Sequence, residues 1–115
     1  MRSYTEYFDE DEGEDILFEM SNLVPENTGL EYIVWIIPKN NREKHGPRIK
    51  VNINNILIPV SVNDNPQVMV NTDKQIPDFN NLQKWIVLNK DILLQYWDSK
   101  GTMSMRTVLD GIKKL

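Results

Sequence analysis

The segment from residue 48 to residue 62 constrains the fold most, because it carries the complete pattern of a β-hairpin. Apolar and polar residues alternate in Arg48–Ile53, which is typical of a strand with one buried and one exposed face. Residues 54–55 are a pair of asparagines that can form a two-residue turn. Residues 56–62 supply the return strand, in which Pro59 indicates a sheet edge or a bulge. The polar positions that we expect to face solvent are Arg48, Lys50 and Asn52.

Further strand and helix patterns flank the hairpin. Residues 31–37 are rich in β-branched and aromatic side chains and predict a buried strand, and residues 67–70 predict a short one. Beyond residue 77 the apolar residues follow helical spacing, and Asp78 and Asn89 are expected to cap two helices. This order predicts an α+β fold, an antiparallel meander of about four strands packed by two helices toward the C-terminus.

Three segments have less decisive patterns. Residues 9–20 fit the start of a helix, or a short strand at 16–20. Residues 23–29 contain proline, asparagine and glycine and indicate a loop. Residues 102–115 fit a closing strand, a short helix or a tail. An edge strand at Pro59 also leaves the formation of a homodimer open.

Length and composition exclude several classes of function. We expect the 115 residues to form one domain, with residues 1–15 as an acidic N-terminal arm. The chain has no cysteine and one histidine, which excludes disulfide scaffolds, thiolate metal sites and two-histidine metal sites. Glycine-rich phosphate loops are missing, and we predict no cofactor. The longest apolar run has six residues, and no signal-peptide pattern is visible, so we expect a cytoplasmic protein without a membrane partner.

The charge is divided unevenly along the chain. The formal net charge is −4, but residues 1–20 carry −7 and the other 95 residues carry +3. A single-sign segment can bind a partner of opposite charge, although most charge runs only solvate a surface. Aromatic residues among the acids offer anchors for an interface, so we predict that the arm binds a protein with a basic surface. The arm lacks the pattern of a calcium loop, and we predict no metal site. The predicted protein-binding residues are Tyr4, Tyr7, Phe8, Asp9, Glu10, Asp11, Glu12, Glu14 and Asp15.

Most of the positive charge lies between residues 39 and 50 and suggests an alternative function. Such a patch could bind phosphates of RNA or DNA, although no aromatic residue alternates with the basic ones. The predicted nucleic-acid-binding residues are Lys39, Arg42, Lys44, Arg48 and Lys50. His45 is the only candidate base near neutral pH, unless it merely shapes the turn. The catalytic alternative is a metal-independent RNA-cleaving toxin that uses His45, Arg48 and Lys50. In a third arrangement the acidic arm folds over the patch and masks it.

Two stretches carry a family resemblance. Glu43–Val51 reads EKHGPRIKV, and a segment with two tryptophans, LQKWIVLNKDILLQYWD, follows the hairpin. Together they resemble a small bacterial family known as domain of unknown function 4160, whose members enter a strand through an acidic-x-Pro-Pro-His-x-His-Val motif. The paired histidines of that motif correspond to Arg48 and Lys50, which do not ligate metals and stay protonated. The resemblance implies a toxin–antitoxin, phage or mobile-element context, and our leading hypothesis is a small non-catalytic protein-binding or regulatory module.

Overall fold

The computed structural model describes residues 5–6, 21–40 and 43–115, the first pair by backbone alone. Its strands are β1 (Thr5–Glu6), β2 (Ser21–Leu23), β3 (Val34–Ile36), β4 (Arg48–Ile53) and β5 (Ile56–Ser61). They form one sheet in the order β1-β5-β4-β3-β2, in which β2 to β5 are an antiparallel meander and β1 runs parallel to β5. The helices are α1 (Pro25–Thr28), α2 (Phe79–Leu88), α3 (Lys90–Asp98) and α4 (Met105–Gly111). The predicted α+β fold is confirmed, and the described residues contain α1 and α4 in addition to the two predicted helices.

The hairpin forms at the predicted positions because its turn residues adopt the backbone that a tight turn needs. Asn54 and Asn55 have φ angles of 52° and 66°, in the left-handed region that asparagine tolerates. Pro59 lies opposite Lys50, at a position whose N–H would point away from β4, so the proline removes no bond from this ladder. The outward carbonyl of Pro59 accepts a hydrogen bond from the backbone N of Met69 at 3.0 Å.

Two of the weaker local predictions are wrong in detail. Residues 67–70 do not form a strand but only an isolated bridge between Val68 and β5. The expected loop at 23–29 contains the end of β2 and the single turn of α1. Pro25 occupies the first position of that helix, where its fixed φ fits and no N–H is needed. Gly29 ends it with a φ of 79°.

Helices α2 and α3 begin where the sequence predicts, but neither has the expected side-chain cap. Asp78 has a φ of 51°, and its backbone carbonyl accepts from the N–H of Leu82 at 3.3 Å. Asn89 is 2% exposed, and its side chain bonds the C-terminal segment instead. Its Nδ2 donates to the carbonyl of Lys113 at 3.0 Å, while its Oδ1 accepts from the N–H of Lys113 at 2.7 Å. The predicted capping role of both side chains is therefore wrong.

Residues 102–115 form α4 and an anchored final stretch. The Ser104 hydroxyl oxygen accepts a hydrogen bond from the backbone N of Thr107 at 3.2 Å, which caps α4. The backbone N of Leu115 donates to the carbonyl of Thr28 at 2.8 Å. A Cβ atom on Gly29 would lie 2.8 Å from the carbonyl oxygen of Leu115, so this close approach requires glycine. The last residues are thus tied both to α1 and to the α2–α3 junction.

The two faces of the sheet have different surroundings. On the face that we call the first face, strand residues pack with apolar side chains of α2 and α3 in the main core. The strand residues of this face include Val34, Ile36, Ile49, Val51, Ile58 and Val60. The alternate strand positions form the second face, whose residues include Trp35, Arg48, Lys50, Asn52, Leu57 and Pro59.

The basic residues of the second face are buried. Arg48 is 3% exposed and Lys50 is 0% exposed, so the predicted solvent-facing position of these two side chains is wrong. Leu57 also has no exposed surface, yet it belongs to neither of the apolar clusters formed by described residues. Alternation in a sequence shows that two faces differ in chemistry, but it does not show whether the polar face is covered.

Candidate functional site

The structure divides the predicted cationic patch at residues 39–50 into exposed and buried groups. Its exposed members are Lys39, Lys44 and His45. Its buried members are Arg48 and Lys50. Arg42 lies outside the described residues. A site that binds a phosphate backbone needs its basic side chains on one exposed surface. The described members of the patch do not share such a surface.

Glu43 holds Arg48, although the sequence pattern assigned Glu43 no role beyond its charge. Arg48 Nη1 donates to Glu43 Oε1 at 2.7 Å, and the two side chains are 2% and 3% exposed. The same carboxylate oxygen accepts from the backbone N of His45 at 3.3 Å, and Arg48 Nη1 also donates to the carbonyl of Gly46 at 3.3 Å. Glu43 therefore closes the loop before β4 with a charge-assisted hydrogen bond.

The Arg48 guanidinium also contacts an aromatic ring. Its Cζ atom lies 5.5 Å from the centroid of Trp97, within the range of a cation–π interaction. Trp97 is 5% exposed and packs with Ile37 in a second, smaller apolar cluster. The carbonyl of Trp97 accepts a hydrogen bond from the backbone N of Lys39 at 2.9 Å. This hydrogen bond connects the loop after β3 to the end of α3, beside the ring that the guanidinium contacts.

This arrangement limits what the predicted catalytic residues can do together. An arginine that binds a phosphate must present its N–H donors at a surface, whereas Arg48 is enclosed and donates to Glu43. Lys50 is buried, and only His45 is exposed. The three side chains therefore do not line a common open cleft, and an action of any one of them on RNA stays a prediction.

Two ionisable side chains outside this region have raised pKa values. The Tyr32 hydroxyl donates to a backbone carbonyl at 3.0 Å. Burial, followed by the charges of Glu31 and Asp78, raises the pKa of Tyr32 to about 12. The hydrogen bond from Lys90 to Asp64, together with the negative charge of that carboxylate, raises the pKa of the Lys90 ammonium. Neither shift produces a general base near neutral pH.

A shallow groove with a volume of about 620 Å³ lies between α2 and the loop after β5. Its apolar part includes Val87 and Leu88, which are 44% and 45% exposed. Gln83 Nε2 donates to the carbonyl of Pro66 at 2.8 Å and holds the loop against the helix. The remaining lining residues are Asp64, Asn65, Asn80 and Lys84. In the sequence this groove is indicated by Val87 and Leu88, two apolar residues at the end of α2. They lie off the helical face that carries Leu82, Trp85 and Ile86.

The acidic arm, to which the sequence assigns protein binding, lies almost entirely outside the described residues. This holds for all its predicted contact residues, which are Tyr4, Tyr7, Phe8, Asp9, Glu10, Asp11, Glu12, Glu14 and Asp15. In the part of the chain that the structure describes, no group of three His, Cys, Asp or Glu residues could hold a metal ion. The described helices are also too short or too polar to cross a membrane.

The chain matches no protein-family model, and comparisons with curated proteins and with solved structures found no match either. The resemblance to domain of unknown function 4160 therefore stays a prediction. At the two positions that correspond to the family's paired histidines, this chain has the buried Arg48 and Lys50.

Proposed function

We propose that this protein is a small non-catalytic protein-binding module whose acidic N-terminal arm, residues 1–15, docks on the basic surface of a partner protein. The observation that carries the proposal is the net charge of −7 on residues 1–20 of a chain whose other residues sum to +3. Such a segment attracts a basic surface over a distance and accelerates encounter. The aromatic side chains of Tyr4, Tyr7 and Phe8 supply apolar anchors beside the charges.

The burial of charged residues in the described part of the chain strengthens the contrast between the strongly negative residues 1–20 and the rest of the protein. Eleven basic and nine acidic residues lie in residues 21–40 and 43–115. When the buried Arg48, Lys50 and Glu43 are set aside, nine basic and eight acidic residues remain. Their charges nearly cancel, so the acidic segment dominates the electrostatic field of the protein. A basic partner suits that field better than RNA or DNA does.

The alternative function, RNA cleavage or nucleic-acid binding by residues 39–50, has less support. Two of its three proposed catalytic side chains, Arg48 and Lys50, are buried, and Arg48 is paired with Glu43. The exposed Lys39, Lys44 and His45 offer fewer phosphate contacts than the sequence suggests.

The resemblance to domain of unknown function 4160 makes the proposal more specific. Members of that family are often encoded near toxin–antitoxin or mobile-element genes. A basic surface in such a system is typically the nucleic-acid-binding site of a toxin or a defence nuclease. An acidic arm docked there would exclude the nucleic acid by occupying the same surface.

The proposal is tested with a variant that removes charge and keeps the chain length. Asp9→Asn, Glu10→Gln, Asp11→Asn and Glu12→Gln are combined, and partners are captured from a lysate and identified by mass spectrometry. The affinity of the purified partner is then measured with each protein. We expect the charge-neutral variant to bind at least tenfold more weakly than the wild type. Wild-type binding should also weaken between low and moderate salt concentration.

A matched control neutralises the same number of acids outside the arm. The control combines Glu26→Gln, Asp73→Asn, Asp98→Asn and Asp110→Asn, all at exposed positions. It should bind the partner as the wild type does. Equal affinity of the arm variant and the wild type would eliminate the proposal. RNA cleavage by the purified wild type that is lost in His45→Ala would instead favour the catalytic alternative.

A further inference from the structure

The side of α2 that faces away from the core carries two large apolar residues, Val87 and Leu88, which we call the apolar pair. They are 44% and 45% exposed, and both line the groove between α2 and the loop after β5. Because helical residues three and four positions apart are neighbours, the exposed Lys84 lies one turn before the apolar pair on the same face of α2. Contact with another protein surface at this groove would remove the apolar pair from water.

The loop after β5 runs along α2 in the opposite direction and brings a carboxylate to the far end of the groove. Gln83 Nε2 donates to the carbonyl of Pro66 at 2.8 Å, and the Lys90 ammonium donates to Asp64 Oδ1. Pro66 therefore lies beside the middle of α2, whereas Asp64 lies beyond its C-terminal end, where α3 begins. The order along the groove is a cation at Lys84, the apolar pair in the centre and an anion at Asp64.

The charges at the two ends of the groove are both accessible. The Asp64 side chain is 83% exposed, and a carboxylate can accept hydrogen bonds from more than one donor. In the described part of the chain, no carboxylate forms an ion pair with Lys84. A partner surface of a single charge sign would be attracted at one end of the groove and repelled at the other. A second copy of the same surface, turned by 180°, matches both ends, as in an isologous dimer.

The sheet edge near Pro59 is less suited to self-association. The carbonyl of Pro59 accepts a hydrogen bond from the backbone N of Met69 at 3.0 Å, and the backbone N of Ser61 donates to the carbonyl of Gln67 at 2.9 Å. Residues 67–69 of the same chain therefore occupy this stretch of the β5 edge. The apolar pair on α2, in contrast, is exposed.

We propose that the groove beside α2 is a homodimer interface, in which the apolar pairs of two copies pack together and Lys84 of each copy pairs with Asp64 of the other. The order of cation, apolar pair and anion along the groove carries this inference. The contact area is small, so the dimer is weak and forms at high protein concentration. The inference is independent of the proposed function, because no residue of the acidic arm takes part in these contacts.

Sedimentation equilibrium of the full chain at increasing protein concentration measures the self-association. We expect the average mass to rise from that of a monomer toward that of a dimer. Leu88→Glu should raise the dissociation constant at least tenfold, because a charge would be buried in the interface. Leu109→Glu is the matched control, since Leu109 is 44% exposed on α4 and lines no part of the groove, and it should leave the constant unchanged. A chain that stays monomeric up to roughly millimolar concentration, or a dimer that Leu88→Glu does not weaken, would overturn the inference.

Two charge-reversal variants test the arrangement of the two copies. Lys84→Asp alone brings two carboxylates together at each end, and Asp64→Lys alone brings two ammonium groups together, so each variant should dimerise at least tenfold more weakly than the wild type. In an equimolar mixture of the two variants every such contact again joins opposite charges, and mixed dimers should form about as tightly as wild-type dimers. Absence of a preference for the mixed dimer would overturn the proposed arrangement. Loss of partner binding by the arm variant with unchanged self-association would affect only the proposed function.

Discussion

Replacing Glu43 by alanine removes the carboxylate from an ion pair whose two side chains are 2% and 3% exposed. Arg48 keeps its contact with the ring of Trp97, but that contact does not neutralise its charge. Because the guanidinium is enclosed, water cannot replace the lost carboxylate. We therefore expect a loss of stability much larger than the loss of a surface ion pair would cause.

The magnitude follows from the burial of both partners. Removing one member of a buried ion pair costs about 3–5 kcal/mol. A protein of this kind unfolds with a free energy of roughly 5–15 kcal/mol, so Glu43→Ala removes a large share of the stability. With a urea m value of about 2 kcal/mol per molar, the midpoint should fall by roughly 2 M.

Urea denaturation followed by far-ultraviolet circular dichroism measures this change. Lys39→Ala is a suitable control, because it removes an exposed cation near the same loop and should change stability by no more than about 0.5 kcal/mol. The double variant Glu43→Gln/Arg48→Met removes both charges and leaves neither one buried alone. It should be more stable than the sum of the single losses predicts, by about 1–3 kcal/mol.

A cost of Glu43→Ala below about 1 kcal/mol, the range of exposed ion pairs, would falsify this reasoning. Strict additivity of the Glu43→Gln and Arg48→Met losses would show that the two side chains do not depend on each other. Either result would remove the Glu43 ion pair as an argument against nucleic-acid binding by residues 39–50.

Three further predictions concern other parts of the structure. Tyr32→Phe should lower the free energy of unfolding by about 1 kcal/mol near neutral pH, because a partly buried hydrogen bond from the Tyr32 hydroxyl is lost. Since the folded-state pKa of Tyr32 is raised from 10.0 to about 12, wild-type stability should fall as the pH rises through that interval. Its advantage over Tyr32→Phe in urea denaturation should therefore shrink, and a constant advantage would contradict the shift. Gly29→Ala should cost about 1–2 kcal/mol for its left-handed backbone alone, whereas Gly46→Ala, whose added Cβ meets nothing within 4 Å, should change little. Asn89→Ala should cost about 2–3 kcal/mol and speed amide hydrogen exchange at Lys113, because three side-chain hydrogen bonds disappear. Unchanged exchange there would argue against this anchor.

Features that depend on neighbouring residues could be predicted from the sequence. The turn at Asn54 and Asn55 needs left-handed backbone angles that few other residues tolerate, so its position was readable. The starts of α2 and α3 could be predicted because a polar residue precedes the point where the apolar residues adopt helical spacing. The side chains of Asp78 and Asn89 do not cap these helices, however. Asn89 bonds instead to a segment 24 residues away, a contact that no local pattern encodes.

The candidate site depends on contacts that the apolar–polar pattern does not encode, some of them between residues far apart in the sequence. Arg48 was predicted to face solvent, whereas it is paired with Glu43 and stacked on Trp97, 49 residues further along the chain. The alternation of β4 identified its two faces correctly, because period-two patterns follow from strand geometry. It carried no information about the cover of the second face, which depends on the rest of the chain.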